Sequence, residues 1–232
     1  MESALTARHA TPEAPHATTP RRRGRPAGNG AQAVSEERVL DAAFRAFAER
    51  GYEGTTLREL AKELGVSHNL LNVRFGTKED LWRRAVDARV ARIGPPVFAA
   101  FEAPGLEAEA RLRELVLRFC RWAAANGEFV AMTYVEGRRA TWRNDHIVDA
   151  YLRPFKERLD GLLAALAAKR PIHPISTSAL MALLVQGVGF YFASSPMLER
   201  LGVGEEIAPD HAERQIEMCA DFLLKALMPD AA

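Results

Sequence analysis

At 232 residues, with 48% hydrophobic and 26% charged side chains, the chain has the composition of a soluble globular protein, and any disorder is confined to its ends. The formal net charge of +1 hides a gradient. Residues 21–93 carry 15 Lys/Arg against 10 Asp/Glu, whereas residues 94–232 carry 15 against 18, so a polyanion would meet the N-terminal third. Cys120 and Cys219 stand alone, without the spacing of a zinc site, and the N-terminus lacks the apolar core of a secretory signal. These features point to a reducing cytoplasm, with no metal and no cofactor.

Residues 1–33 are rich in Ala, Pro, Thr, Gly and Arg without apolar periodicity and read as a disordered basic arm. Folding is predicted to begin at Ser35, an N-cap followed by Val39, Leu40, Ala43, Phe44 and Phe47 on one helical face, and this helix to stop at Gly51. Thr56 with Glu59 forms a capping box that opens a second helix, whose inner face is Leu60, Ala61 and Leu64 and whose end is Gly65. Ser67 caps a short third helix running to Phe75, closed by Gly76. Thr77 with Asp80 starts a fourth, carrying Leu81, Trp82, Ala85 and Val86 to about Ile93, where Pro95 and Pro96 stop it.

Further helices are predicted over about 106–125, 128–139, 145–169, 176–194 and 209–228. No segment alternates with period two, so the fold class is all-α. From Pro171 to Leu198 no Lys, Arg, Asp or Glu occurs, but His173, Gln186 and three prolines make this a buried bundle helix rather than a membrane span. The last helix bears an apolar stripe of Ile216, Cys219, Ala220, Leu223 and Leu227. Together with the helix before it, this stripe can serve both as core and as the face of a homodimer.

The second and third helices have the makings of a helix-turn-helix. Ala61 is small enough for a close crossing, Gly65 accepts positive φ at the turn, and Leu57, Leu60, Leu64, Val66, Leu71 and Phe75 give the unit its own core. The run Gly51-Tyr52-Glu53-Gly54-Thr55-Thr56-Leu57, then Leu60-Ala61, Leu64-Gly65-Val66-Ser67 and Phe75-Gly76-Thr77-Lys78-Glu79-Asp80-Leu81, resembles the N-terminal domain of the tetracycline-repressor (TetR) family of bacterial regulators. The resemblance covers about residues 35–85. It implies a helix-turn-helix DNA-binding domain over 34–80 and a helical effector-binding and dimerisation domain over 81–232. The implied partner is a double-stranded DNA operator with palindromic half-sites, bound by a homodimer and released by a small-molecule effector.

By position in that family, His68, Asn69, Leu70 and Val73 would face bases or the groove floor. Asn72, Arg74 and Lys78 would face the sugar-phosphate backbone, and Thr56 and Ser67 complete the DNA-facing set. Most members carry Tyr where this chain has Asn72, and His or Tyr where it has Arg74. Ahead of this domain, Arg21-Arg22-Arg23-Gly24-Arg25-Pro26 resembles an AT-hook core. Arg23 and Arg25 would lie in a narrow minor groove, with a solvated charge run as the alternative. For the effector the resemblance implies a pocket, expected to be lined by Trp122, Phe129, Met132, Tyr134, Phe155 and Gln186; the alternative is that these residues are ordinary core. The Arg138, Arg139, Arg143, Asp145 and His146 stretch around Trp142 reads as a solvated loop between helices or as an anchor for a carboxylate-bearing effector. No catalytic motif accompanies these features, so an enzyme is the weakest reading, and an effector-independent architectural DNA binder stays open beside the regulator.

Overall fold

The computed structural model describes residues 34–202 and 209–228, and no strand occurs among the described residues. The basic arm, with Arg23 and Arg25, lies outside them. Helix α1 (Glu36–Gly54) begins where the Ser35 hydroxyl accepts the Arg38 amide at 3.3 Å, and it buries Val39, Leu40, Ala43, Phe44, Ala46 and Phe47. Gly51, at φ 73°, breaks the helical path at the residue where the sequence predicts the stop, but one further turn carries the helix to Gly54. The buried Thr55 hydroxyl donates to the carbonyls of Ala46 (3.0 Å) and Gly51 (2.9 Å), which ties the kinked end down.

Helix α2 (Leu57–Leu64) is capped by the Thr56 hydroxyl, which accepts the Glu59 amide at 3.2 Å and donates to the Glu59 carboxylate at 2.8 Å. Gly65, at φ 69°, turns the chain in the left-handed region and returns its amide to Ala61 and Lys62. Helix α3 (His68–Phe75) starts at Ser67, and α4 (Lys78–Ile93) opens with a complete capping box between Thr77 and Asp80. Leu60, Ala61, Leu71, Phe75, Leu81, Trp82, Ala85 and Val86 join the α1 face in one apolar cluster. The cluster does not end at residue 80: Leu81 to Val86 belong to it through α4, and Phe129, Met132 and Ile147 enter it from later helices.

Pro95 and Pro96 end α4 by starting the next helix. They occupy the first positions of α5 (Pro95–Phe98), where a missing amide costs nothing, and a 3-10 turn (Ala99–Glu102) follows. The rest of the bundle is α6 (Ala108–Ala125), α7 (Gly127–Glu136), α8 (Trp142–Ile147), α9 (Arg153–Ala167), α10 (Thr177–Ala182), α11 (Phe190–Ala193), α12 (Ser195–Arg200) and α13 (Pro209–Leu227). Wide π-helical turns join α8 to α9 (Val148–Leu152) and α10 to α11 (Leu183–Gly189). Pro154, two residues beyond the end of the first, lacks the amide for a regular turn, and its ring would crowd the carbonyl four residues back. In the second, a Cβ at Gly189 would lie 3.3 Å from Val130, so glycine allows the close approach to α7.

The stretch around Trp142 differs in part from expectation. Arg138 and Arg139 lie in an exposed turn as expected, but Arg143, Asp145 and His146 stand on helix α8, capped by Thr141, and Arg143 is buried. In α13, Ile216, Ala220, Leu224 and Leu227 face inward and α13 packs on α6, while Phe222 is 74% exposed. Among the described residues no helix is long and apolar enough to cross a membrane.

Candidate nucleic-acid interface

Helix α3 is anchored by two side chains, Leu71 and Phe75, both buried against the head core. The other six positions are exposed: His68, Asn69, Leu70, Asn72, Val73 and Arg74. With 100° between successive residues, Asn69, Leu70 and Val73 form the face opposite the anchors, and His68 with Asn72 and Arg74 lie on its two flanks. Val73 is 78% and Leu70 45% exposed, so both aliphatic side chains stand on the solvent side of the helix.

The flanks are tied to the protein itself. The Asn72 amide lies 3.3 Å from His68 Nδ1. Arg74 donates to the Val34 carbonyl at 2.8 Å and lies 3.8 Å from Glu36, so its guanidinium steadies the start of α1. Arg84, which sequence reasoning missed, donates to the Arg74 carbonyl at 3.0 Å and to Glu36 at 2.6 Å. The two guanidiniums sit 5.4 Å and 4.7 Å from the Phe75 ring centre. Thr56 and Ser67 spend their hydroxyls as helix caps. Lys78, at the first turn of α4, places its ammonium 4.2 Å from the Tyr52 ring centre, and the same ring receives Arg143 at 4.5 Å.

The family model described as bacterial regulatory proteins, tetR family, matches residues 39–85, from within α1 through the first turns of α4. The HTH-type transcriptional repressor Rv1474c of Mycobacterium tuberculosis is 31% identical over 157 residues, spanning 59% of this chain and 84% of that protein. The chain belongs to the TetR family of bacterial regulators. The HTH-type regulator YezE of Bacillus subtilis is 40% identical over 72 residues, covering 31% of this chain and 37% of YezE, so the chain spans little more than a third of that relative. A Rhodococcus RHA1 structure described as a bacterial regulatory protein in the tetR family shares the fold, with a TM-score of 0.61, 23% identity, and coverage of 84% of this chain and 98% of that one.

Beyond the TetR head, α4, α6, α7 and α9 line a partly open cavity of about 80 Å³, with Val97 and Phe98 of α5, Met181 of α10 and the two π-helical turns contributing to its wall. Trp122, Phe129 and Phe155 line it, together with Val90, Phe119 and Tyr151. The structure does not bring Met132, Tyr134 and Gln186 there. Met132 turns into the head core, Tyr134 lies tilted against Phe190 at 5.3 Å, and Gln186 borders an adjoining surface groove beside Met181 and Arg153. No charged group lines the cavity. Its hydroxyls are engaged, Thr133 donating to the Val130 carbonyl at 2.8 Å and Tyr151 to Asp87, whereas the buried Trp122 indole N–H has no hydrogen-bond partner.

Tyr151 connects this cavity to α4. Asp87 also receives His146 Nε2 at 2.6 Å, and His146 Nδ1 lies 3.0 Å from Arg83, which in turn grips Glu79 at 2.9 Å in the first turn of α4. Because Arg83 can only donate, Nδ1 accepts and the imidazole carries its proton on Nε2, toward Asp87. Burial, followed by the hydrogen bond and charge of Asp87, pushes the Tyr151 hydroxyl above its ordinary pKa. Arg143, expected in solvent or on an effector, instead donates to Glu136 at 3.0 Å, with both side chains buried.

Proposed function

We propose that the chain is a transcription regulator of the TetR type, acting as a repressor that binds a palindromic operator as a homodimer and leaves it when a small molecule enters the cavity. The observation that carries this reading is the unpacked outer face of α3, where Asn69, Leu70 and Val73 stand clear of the protein on a helix short enough for a major groove. Lys78 at the start of α4 adds a phosphate contact favoured by the helix N-terminus.

Dimerisation through the last two long helical stretches is supported by Leu183 on one and by Met218 and Phe222 on the other, all at least 49% exposed. The uncharged cavity favours an effector-responsive regulator over an architectural DNA binder. Its wholly apolar surface suits a neutral, apolar effector. The relatives are transcriptional regulators, which leaves no support for an enzyme.

Selection of bound sequences from random duplexes with the full chain tests the reading. Enrichment of a palindrome with half-sites about one helical turn apart, or a multiple of it, is expected. Enrichment of no common sequence would remove the proposal.

A further inference from the structure

Guanine is most often read through a cation, because Arg or Lys can donate two hydrogen bonds to O6 and N7 in the major groove. The outward face of α3 carries no cation. The one arginine of this helix, Arg74, lies on the flank and is held against the start of α1 by the Val34 carbonyl at 2.8 Å and by Glu36. Reaching a base would cost Arg74 that hydrogen bond and its place beside the Phe75 ring. What remains on the face is one amide, Asn69, and two aliphatic side chains, Leu70 and Val73, the latter more exposed than any other large hydrophobic side chain among the described residues.

An amide pairs with adenine through N6 and N7, and an exposed aliphatic group gains only from the thymine C5-methyl. We infer that the stretch of each half-site read by α3 consists of A·T pairs, with thymine methyls against Leu70 and Val73 and an adenine against Asn69. This rests on the proposed DNA-binding function and adds the base composition of its target.

The duplexes enriched by the full chain provide the probe. The central positions of each half-site are expected to be A·T. Replacing their thymines by deoxyuridine removes only the methyl groups, and affinity should fall about fourfold for each methyl buried. Val73→Arg, at a site where no packing is lost, should re-select guanine at one position in each half-site. G·C pairs dominating the α3 positions of an enriched palindrome would overturn the base preference while leaving DNA binding intact. So would full affinity for the deoxyuridine duplex, or an unchanged selection by the Val73→Arg chain. Failure to enrich any palindrome would instead remove the DNA-binding reading, and the base preference with it.

Discussion

Replacing Glu136 by alanine should destabilise the chain far more than a typical surface change. Glu136 and Arg143 are each only 4% exposed, and the bond between them, 3.0 Å from Arg143 Nε to Glu136 Oε2, is the closest acidic contact of that guanidinium. The other carboxylate nearby, Glu53, lies 3.8 Å away with its side chain 76% exposed, too solvated to take over. The Tyr52 and Trp142 rings, 4.5 and 5.5 Å from the guanidinium, are present in both proteins and do not replace the lost charge. Leaving a buried cation unpaired costs about 3–5 kcal/mol. For a chain of this length each kcal/mol moves the melting temperature by about 2–4 °C, so a fall of about 10 °C is expected. Urea denaturation of the wild type, Glu136→Ala and the double variant Glu136→Leu/Arg143→Met measures it. The double variant should recover most of the loss, since an apolar pair of similar volume carries no desolvation penalty. A single-variant cost below about 1 kcal/mol, or a double variant no better than the single, would refute the argument that burial sets the magnitude.

Gly76→Ala should cost about 2–4 kcal/mol, because the backbone sits at φ 79° and the new Cβ would meet the capping carboxylate of Asp80 at 2.6 Å; thermal melts that agree within 1 °C would contradict this. Burial pushes the Cys120 thiol up to about 12, so in the native chain it should resist a thiol reagent at pH 8 and react once urea is added. The sign for stability follows: with the folded pKa above the unfolded one, the contribution of Cys120 is intact below about 9 and is lost as the pH rises from there toward about 12. Rapid native modification at Cys120 would show that α6 and α13 open readily. Tyr151→Phe removes the hydroxyl that binds Asp87 while keeping the cavity wall, so operator affinity should stay within about threefold while release by an apolar effector weakens about tenfold, a coupling of ordinary size. Unchanged release in a fluorescence-anisotropy titration would rule out the Tyr151–Asp87–His146–Arg83 path.

The reading head was legible because its signals are local. Ser35, Thr56, Ser67 and the Thr77/Asp80 pair each act within one helical turn, and Gly65 marks its own turn by positive φ. The cavity was only half legible. Helix α7 is apolar on most sides, so its periodicity does not say which face looks where: Phe129 and Thr133 reach the cavity, whereas Met132 turns toward the α1 and α4 cluster. Long-range polar partners were invisible for a different reason. Arg143 finds Tyr52 across 91 positions and Arg74 finds Val34 across 40, distances at which charge pattern carries no directional information. The departure of Asn72 and Arg74 from the usual aromatic residues was visible in the sequence, but the fact that Arg74 turns away from the outer face of α3 required the packing of α1.

Hydroxyl-radical footprinting of the full chain on the enriched duplex tests the central claim most directly. A dimer reading successive major grooves through α3 should protect two symmetric patches about 34–36 Å apart, or a multiple of that, and the protection should vanish with Asn69→Ala/Val73→Ala while the fold persists by circular dichroism. A single unsymmetric patch, or full protection by the Asn69→Ala/Val73→Ala chain, would contradict the account.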